Sequence, residues 1–201
     1  VAVSARLERS RDDVLPTEAV HAWEQPPAGP SRRASGVLEI RETRAGDHEA
    51  LLDLWHELMA HHEALDPRFE LAAGADQRFA LYLETAKSRD DYRVRMATVD
   101  GRAAGFYVAC VLPNSPVYRA RWIGYINDLC VTRSLRRQGV GEALVRDAVR
   151  WLQGSGAESV ELYVAHNNLV AQRFWRRVGG RDYLQRLALD ISRLFPDNNS
   201  R

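Results

Sequence analysis

Lysine is almost absent from this chain. Lys87 is the only one, and every other member of the 28 basic residues is an arginine. A P-loop is therefore excluded, because its glycines must be followed by a lysine that reaches the phosphates. Schiff-base chemistry is left with the same single candidate, and Lys87, within Ala86-Lys87-Ser88-Arg89, reads as a solvated surface residue. Cysteine is equally scarce. Cys110 and Cys130 lack CxxC spacing and both fall in apolar, strand-like runs. They read as small buried hydrophobes of a reducing compartment rather than as a disulfide framework or a metal site. There is no run of roughly 18 apolar residues, so a spanning helix is ruled out. A charge excess is missing too: 28 basic against 27 acidic residues leave +1, which gives no basis for a nucleic-acid or membrane-surface partner.

What is present suffices for one folded domain. Of 201 residues, 45% are apolar and 27% charged, a balance that buries a core. Residues 1–36 differ from the rest. They are polar and close on Pro26-Pro27-Ala28-Gly29-Pro30, which reads as an arm and linker ahead of a domain over 37–201. The arm has no apolar core after a basic start, so it does not read as a secretory signal, and its acidic residues argue against a transit peptide. A cytoplasmic location is the expectation.

Val37–Glu42 alternates as a strand. Gly46-Asp47 offers an N-cap for a helix carrying Leu51, Leu54, Trp55, Leu58 and His62, which ends before Pro67. A second helix is expected over 75–87. Residues 92–99 and 102–112 are strands joined by Asp100-Gly101, a strong hairpin signal. Further strands are expected over 121–131, 159–164 and 183–189, with helices over 139–152 and 169–178. The order β-α-α-β-β-β-α-β-α-β predicts a mixed sheet with helices on both faces, in the α/β or α+β range.

The stretch Asn127 to Gly141 carries the chemistry. A strand runs into a short loop, and Gly139 and Gly141 open a helix. The first-turn amides of a helix have no internal partner and carry partial positive charge. Glycine lets a ligand approach them, and Arg136 and Arg137 add charge, so the turn suits a phosphate or pyrophosphate. An ordinary strand-to-helix loop with solvated arginines is the alternative reading. The dinucleotide fingerprint GxGxxG is absent.

A second stretch follows about 30 residues on: Asn168-Leu169-Val170-Ala171-Gln172-Arg173-Phe174-Trp175, closed by Gly179-Gly180. With it, the chain from about Val37 to Ile191 resembles the GNAT superfamily of acyl-CoA-dependent N-acetyltransferases. Arg136-Arg137-Gln138-Gly139-Val140-Gly141 is similar to its coenzyme-A loop, Arg/Gln-x-x-Gly-x-Gly/Ala. Asn168, Ala171, Phe174 and Trp175 fall on its second signature.

The resemblance implies that the loop amides bind the pyrophosphate of acetyl-CoA, the acyl donor. It implies that Leu129, Cys130 and Val131 pair with the pantetheine arm, that Asn168 hydrogen-bonds it, and that an amide of the same strand polarises the thioester. The acceptor is a primary amine of a small molecule or a protein, which attacks directly. A homodimer is a further expectation of the resemblance.

Two departures concern the proton transfers. Asn127 stands where many relatives carry a glutamate base, and an amide cannot accept that proton. Asp128 is one residue on, and strict alternation aims it at the opposite face of the sheet. Trp175 stands where many relatives carry a tyrosine acid. Tyr163, His166 and Tyr183 are the candidate substitutes, and a reaction driven by positioning alone is a further option. A non-catalytic acyl-CoA-binding module and an enzyme for a longer acyl chain are the alternative functions. His56-Glu57 with His61 is one residue too long for HExxH, which places the two histidines about 140° apart on a helix; no metal site is expected. Glu57, His61, His62, Glu63 and Asp66 either line an acceptor pocket or form a polar helix end.

Overall fold

The computed structural model describes residues 36–189. The arm and linker expected over 1–36 lie outside the described residues, Gly36 excepted. The described elements are β1 (Leu38–Glu42), α1 (His48–Glu63), α2 (Ala75–Lys87), β2 (Tyr92–Val99), β3 (Arg102–Pro113), β4 (Trp122–Val131), α3 (Val140–Gly154), β5 (Ser159–Glu161) and α4 (Leu169–Arg177). Short 3-10 turns at Ala45–Asp47, Pro67–Phe69 and Arg133–Leu135 join them. The five strands form one sheet in the order β1-β2-β3-β4-β5. Its first three junctions are antiparallel and β4–β5 is parallel. This is the mixed sheet the periodicities imply.

The central strands are buried on both faces, which is why 102–112 reads as one apolar run. Phe106 and Val108 of β3 pack with Leu51, Leu54 and Trp55 of α1 and Phe79, Leu83 and Ala86 of α2. Tyr107, Ala109 and Val111 of β3 pack on the other face with Val140, Leu144, Ala148 and Leu152 of α3. Trp55 stacks on Phe79 with ring centroids 4.4 Å apart, so it is a core aromatic. At the hairpin, Asp100 and Gly101 adopt φ of 49° and 77°, the left-handed pair that a tight two-residue turn requires.

Two irregularities interrupt the ladder. Ala97 faces Gly105 while Thr98 faces Ala103, so Ala104 has no opposite number. Val108 faces Asp128 while Ala109 faces Ile126, so Asn127 is the extra residue of a β-bulge in β4. The sheet is tight beside the first of these: a Cβ on Gly105 would collide with the carbonyl oxygen of Cys130.

Three local expectations need correction. Asp47 precedes α1, but its carboxylate does not cap that helix. It turns back to accept from Arg41 at 2.6 and 2.8 Å and from the Arg44 amide at 2.6 Å. β5 ends at Glu161 rather than at residue 164, because β4 bends away beyond that point. The last expected strand, 183–189, is not formed. A strand exists only where its backbone groups find a ladder, and this segment finds none; Tyr183, Leu184, Leu187 and Leu189 are exposed.

Candidate active site

β4 and β5 pair only over Ile123–Tyr125 and Ser159–Glu161. The bulge at Asn127 begins immediately after the last of these pairs. A bulge bends its strand and raises the local twist, so the two strands part. From Ile126 to Val131, β4 is laddered on its β3 side and has no strand partner on the other. Leu129, Cys130 and Val131 lie on this open stretch. Their side chains are anchored inward. Leu129 and Val131 pack against the α3 core, and the Cys130 thiol donates to Leu54 O at 3.2 Å.

The open edge leads to the first turn of α3. Arg137 and Gly139 have φ of 64° and 86°, left-handed values that are costly for arginine and ordinary for glycine. No side chain caps the helix, so its leading amides remain available to an anion. Val140 is buried beneath them. Gln138 braces the turn by donating to Ser134 O at 3.1 Å. Gly141 serves packing as well as approach, since a Cβ there would lie 3.2–3.3 Å from the Phe174 ring.

Arg136 does not project freely toward a phosphate. Its Nε donates to Val131 O at 2.9 Å and its terminal nitrogen to Glu57 Oε1 at 3.1 Å. Glu57 also accepts from the Thr132 hydroxyl at 2.9 Å and the Arg133 amide at 2.6 Å. One carboxylate of α1 therefore fastens the β4–α3 loop at three points. Nothing in its sequence neighbourhood marks Glu57 for this, because its partners lie more than 70 residues away. Arg133 and Arg137 are exposed and add positive charge to the loop.

Asn168 caps α4. Its Oδ1 accepts from the Ala171 amide at 3.0 Å while the residue is only 6% exposed. Phe174 and Trp175 meet edge to face with centroids 5.1 Å apart, and Trp175 packs toward the α3 core. Thus α4 closes over the α3 turn.

The proton-transfer candidates separate. His166 is exposed in the β5–α4 loop, where its carbonyl accepts from Gln172 at 2.6 Å. Tyr163 is 60% exposed, edge-on to Tyr125 at 5.6 Å. Tyr183 is 76% exposed, on the unpaired tail. Of the acceptor-pocket candidates, Glu57 is committed to the loop, and His62 lies against Phe69 at 5.3 Å with burial holding its pKa down. Asp66 is held by Arg68.

Asn127 accepts from the Cys110 thiol at 3.2 Å. Cys110 is two residues from Val108 and adjoins Tyr92, so Asn127 faces α1 and α2. Asp128 faces the same way, because the bulge cancels one step of the alternation: it interacts with Tyr82 of α2 and with Cys130. The expectation that Asp128 points to the other face is therefore overturned by the extra residue beside it. No hydrogen bond reaches its carboxylate from the described residues, and burial raises it to about 6. The neighbouring Tyr82 hydroxyl is buried and likewise has no protein partner among them. Burial pushes the Cys110 and Cys130 thiols up to about 11 and about 12, so both stay protonated. Among the described residues no group of histidine, cysteine and acidic side chains could hold a metal ion, and no helix is long and apolar enough to cross a membrane.

Residues 51–180 match the model of the acetyltransferase (GNAT) family. An uncharacterized N-acetyltransferase of Archaeoglobus fulgidus is 32% identical over 94 residues, 47% of this chain and 63% of that protein. A chloroplastic GCN5-related N-acetyltransferase of Arabidopsis thaliana is 45% identical over 56 residues, 28% of this chain and 19% of that one. The chain thus spans less than two thirds of the length of these relatives. Among solved structures, the aminoglycoside N-acetyltransferase AAC(6')-Iy in complex with CoA superposes with a TM-score of 0.62 at 18% identity, covering 78% of this chain and 96% of that one. A BH1408 protein variant from Bacillus halodurans gives a TM-score of 0.66 at 23% identity, covering 76% and 99%.

Proposed function

Because the chain belongs to the GNAT family, we propose that it transfers an acetyl group from acetyl-CoA to the primary amine of a small molecule. The observation that carries this reading is the continuity of two binding surfaces. The unpaired edge of β4 from Ile126 to Val131 runs directly into the uncapped first turn of α3 at Gly139. An extended pantetheine pairs with the strand through main-chain groups, and its diphosphate rests on the amides of Gly139, Val140 and Gly141, with Arg137 supplying charge. Asn168, whose Oδ1 is committed to the cap, offers its Nδ2 to the pantetheine. Ala171, Phe174 and Trp175 form the wall above it. Arg136 holds the loop rather than the ligand.

In this arrangement a β4 amide polarises the thioester carbonyl. The amine nitrogen attacks the carbonyl carbon, a C–N bond forms, the C–S bond breaks, and coenzyme A leaves. Orientation of both partners supplies a large part of the rate, roughly 7 kcal/mol or more where the geometry is close to attack. A small-molecule acceptor is favoured because structural neighbours include aminoglycoside acetyltransferases, among them AAC(6')-Iy, solved both with CoA and with the bisubstrate analogue CoA-S-monomethyl-acetylneamine. A cytoplasmic homodimer, with the arm of residues 1–36 outside the transferase domain, completes the proposal.

The test is titration calorimetry with acetyl-CoA, followed by free-thiol release against a panel of amines. Binding and turnover on any amine are expected. Absence of acetyl-CoA binding would refute the reading. Binding without turnover on the whole panel would favour a non-catalytic acyl-CoA module, the reading suggested by Asn127 and Trp175 at the usual base and acid positions.

A further inference from the structure

A second depression lies at the other edge of the sheet, away from the β4–β5 slot. β1 ends at Glu42, opposite Arg95, while β2 starts at Tyr92, so residues 92–94 have no β1 neighbour. The resulting notch holds a cavity of about 360 Å³. Glu42, Lys87, Arg89, Asp90 and Arg93 line it together with Trp151 of α3. The acetyl-transfer reading makes no use of any of these residues.

We propose that this notch binds a free α-amino acid as its zwitterion, with the side chain against Trp151. The observation that carries the proposal is an ion pair with unused capacity on both partners. A terminal nitrogen of Arg93 lies 2.6 Å from Glu42 Oε1. A guanidinium has several more N–H donors, and the Nε of Arg93 is buried with no partner, a condition that calls for an explanation in a folded protein. Both ionic contacts of Glu42, to Arg93 and to Arg95 at 3.8 Å, fall on Oε1, so Oε2 is unengaged among the described residues. Arg95 is the better anchored of the two arginines: it donates to Ile40 O at 2.8 Å and stands 3.6 Å from Asp147. Arg93 and Glu42 therefore present a donor fork beside a carboxylate oxygen. A zwitterion carries the matching pair on adjacent atoms. Its carboxylate accepts from Arg93, its ammonium donates to Glu42 Oε2, and charges of alternating sign surround the contact.

The rest of the lining argues for both signs of charge on the ligand. Lys87 is bonded to Glu84 at 2.9 Å and Arg89 to Asp91 at 2.7 and 2.9 Å, so neither is a bare cation awaiting a phosphate. Glu42 and Asp90 share the wall with them and would repel a simple anion, as the arginines would repel a simple cation. A zwitterion meets neither repulsion. The volume lies at the small end of ligand pockets, on the scale of a single amino acid rather than a nucleotide, and the Trp151 indole supplies an apolar surface for its side chain.

The experiment is titration calorimetry of the wild-type chain with L-leucine and L-phenylalanine. One site per chain is expected, and it should persist when coenzyme A is present at saturation, because the notch and the slot lie at opposite edges of the sheet. N-acetyl-L-leucine lacks the ammonium and L-leucinamide lacks the carboxylate; each should bind at least about tenfold more weakly than L-leucine, the loss expected for one charged hydrogen bond. Arg93→Gln and Glu42→Gln should each weaken L-leucine to a similar degree, with melting curves to show that the variants are folded. Lys87 is the only lysine, so its acylation by acetic anhydride, followed by peptide mass, reports on the cavity wall alone, and L-leucine should slow it. Absence of binding by either amino acid at millimolar concentration would overturn the assignment. So would equal affinity for L-leucine and either one-charge analogue, or an unchanged rate of Lys87 acylation. Displacement of L-leucine by coenzyme A would place it in the slot and overturn the assignment as well, while leaving the acetyl-transfer reading intact.

Discussion

Gly139 offers the sharpest test of the proposed diphosphate site. Its φ is 86°, in the left-handed region. Holding an L-residue with a Cβ there costs roughly 1–2 kcal/mol, which corresponds to a factor of about 5–30. That penalty must surface in one of two places. If the turn keeps its shape in Gly139→Ala, the protein unfolds more easily by that amount. If the turn relaxes, stability is kept and coenzyme-A affinity falls by that factor, because binding must then rebuild the conformation. The two losses, from thermal unfolding and from calorimetric titration with CoA, should sum to about 1–2 kcal/mol. Asparagine tolerates the left-handed region better than alanine, and β-branched valine tolerates it worst, so the losses should rank Asn, Ala, Val. The control is Gly46→Ala, where a Cβ would meet nothing within 4 Å and neither quantity should move. A Gly139→Val protein with unchanged melting and unchanged affinity would refute the reasoning.

Four further outcomes are expected. Glu57→Gln should weaken coenzyme-A binding and lower stability by about 1–3 kcal/mol, the range for charge-assisted bonds, since the amide cannot serve the Thr132, Arg133 and Arg136 partners together; calorimetry and melting check both. Gly105→Ala should melt well below wild type, because its Cβ meets the backbone oxygen of Cys130 and overpacking costs about 1–3 kcal/mol even against yielding neighbours. Cys110 and Cys130, with raised thiols, should resist iodoacetamide at about pH 8 until denaturant is added; rapid native alkylation would contradict their burial. Asp47 is held at about 2, chiefly by the Arg41 hydrogen bonds. Its stabilisation is therefore complete above the ordinary carboxylate range near 4 and lost as pH falls toward 2. Asp47→Asn should cost about 1–2 kcal/mol at neutral pH and flatten the acid limb of the stability curve, as urea unfolding across that range would show.

The elements that periodicity makes legible are those with strong local signals. The Asp100-Gly101 turn, the alternating runs on either side of it and the apolar stripe Val140, Leu144, Ala148, Leu152 all lie where expected. The glycine-bearing turn between β4 and α3 is legible because its signal is local: glycine, helix start and preceding strand are consecutive. What escapes the sequence is non-local. The run 183–189 has strand composition, yet a strand needs a partner edge, and β5 is too short to give one. Glu57 reads as one more acid on a polar helix end, because its three partners are far along the chain. The direction of Asp128 is hidden for a subtler reason. Alternation assumes a regular ladder, and no residue type at Asn127 announces the missing partner.

The irregularity at Asn127 ties two properties of the molecule to a single residue of chain length. The same extra position that lets β5 diverge also sets the parity of everything downstream in β4. Deleting Asn127 would restore a regular ladder, which would be expected to close the slot while leaving Asp128 opposite Val108 and facing α1 and α2. Losing the bulge at unchanged length would instead put Asn127 opposite Val108 and turn Asp128 toward the α3 core.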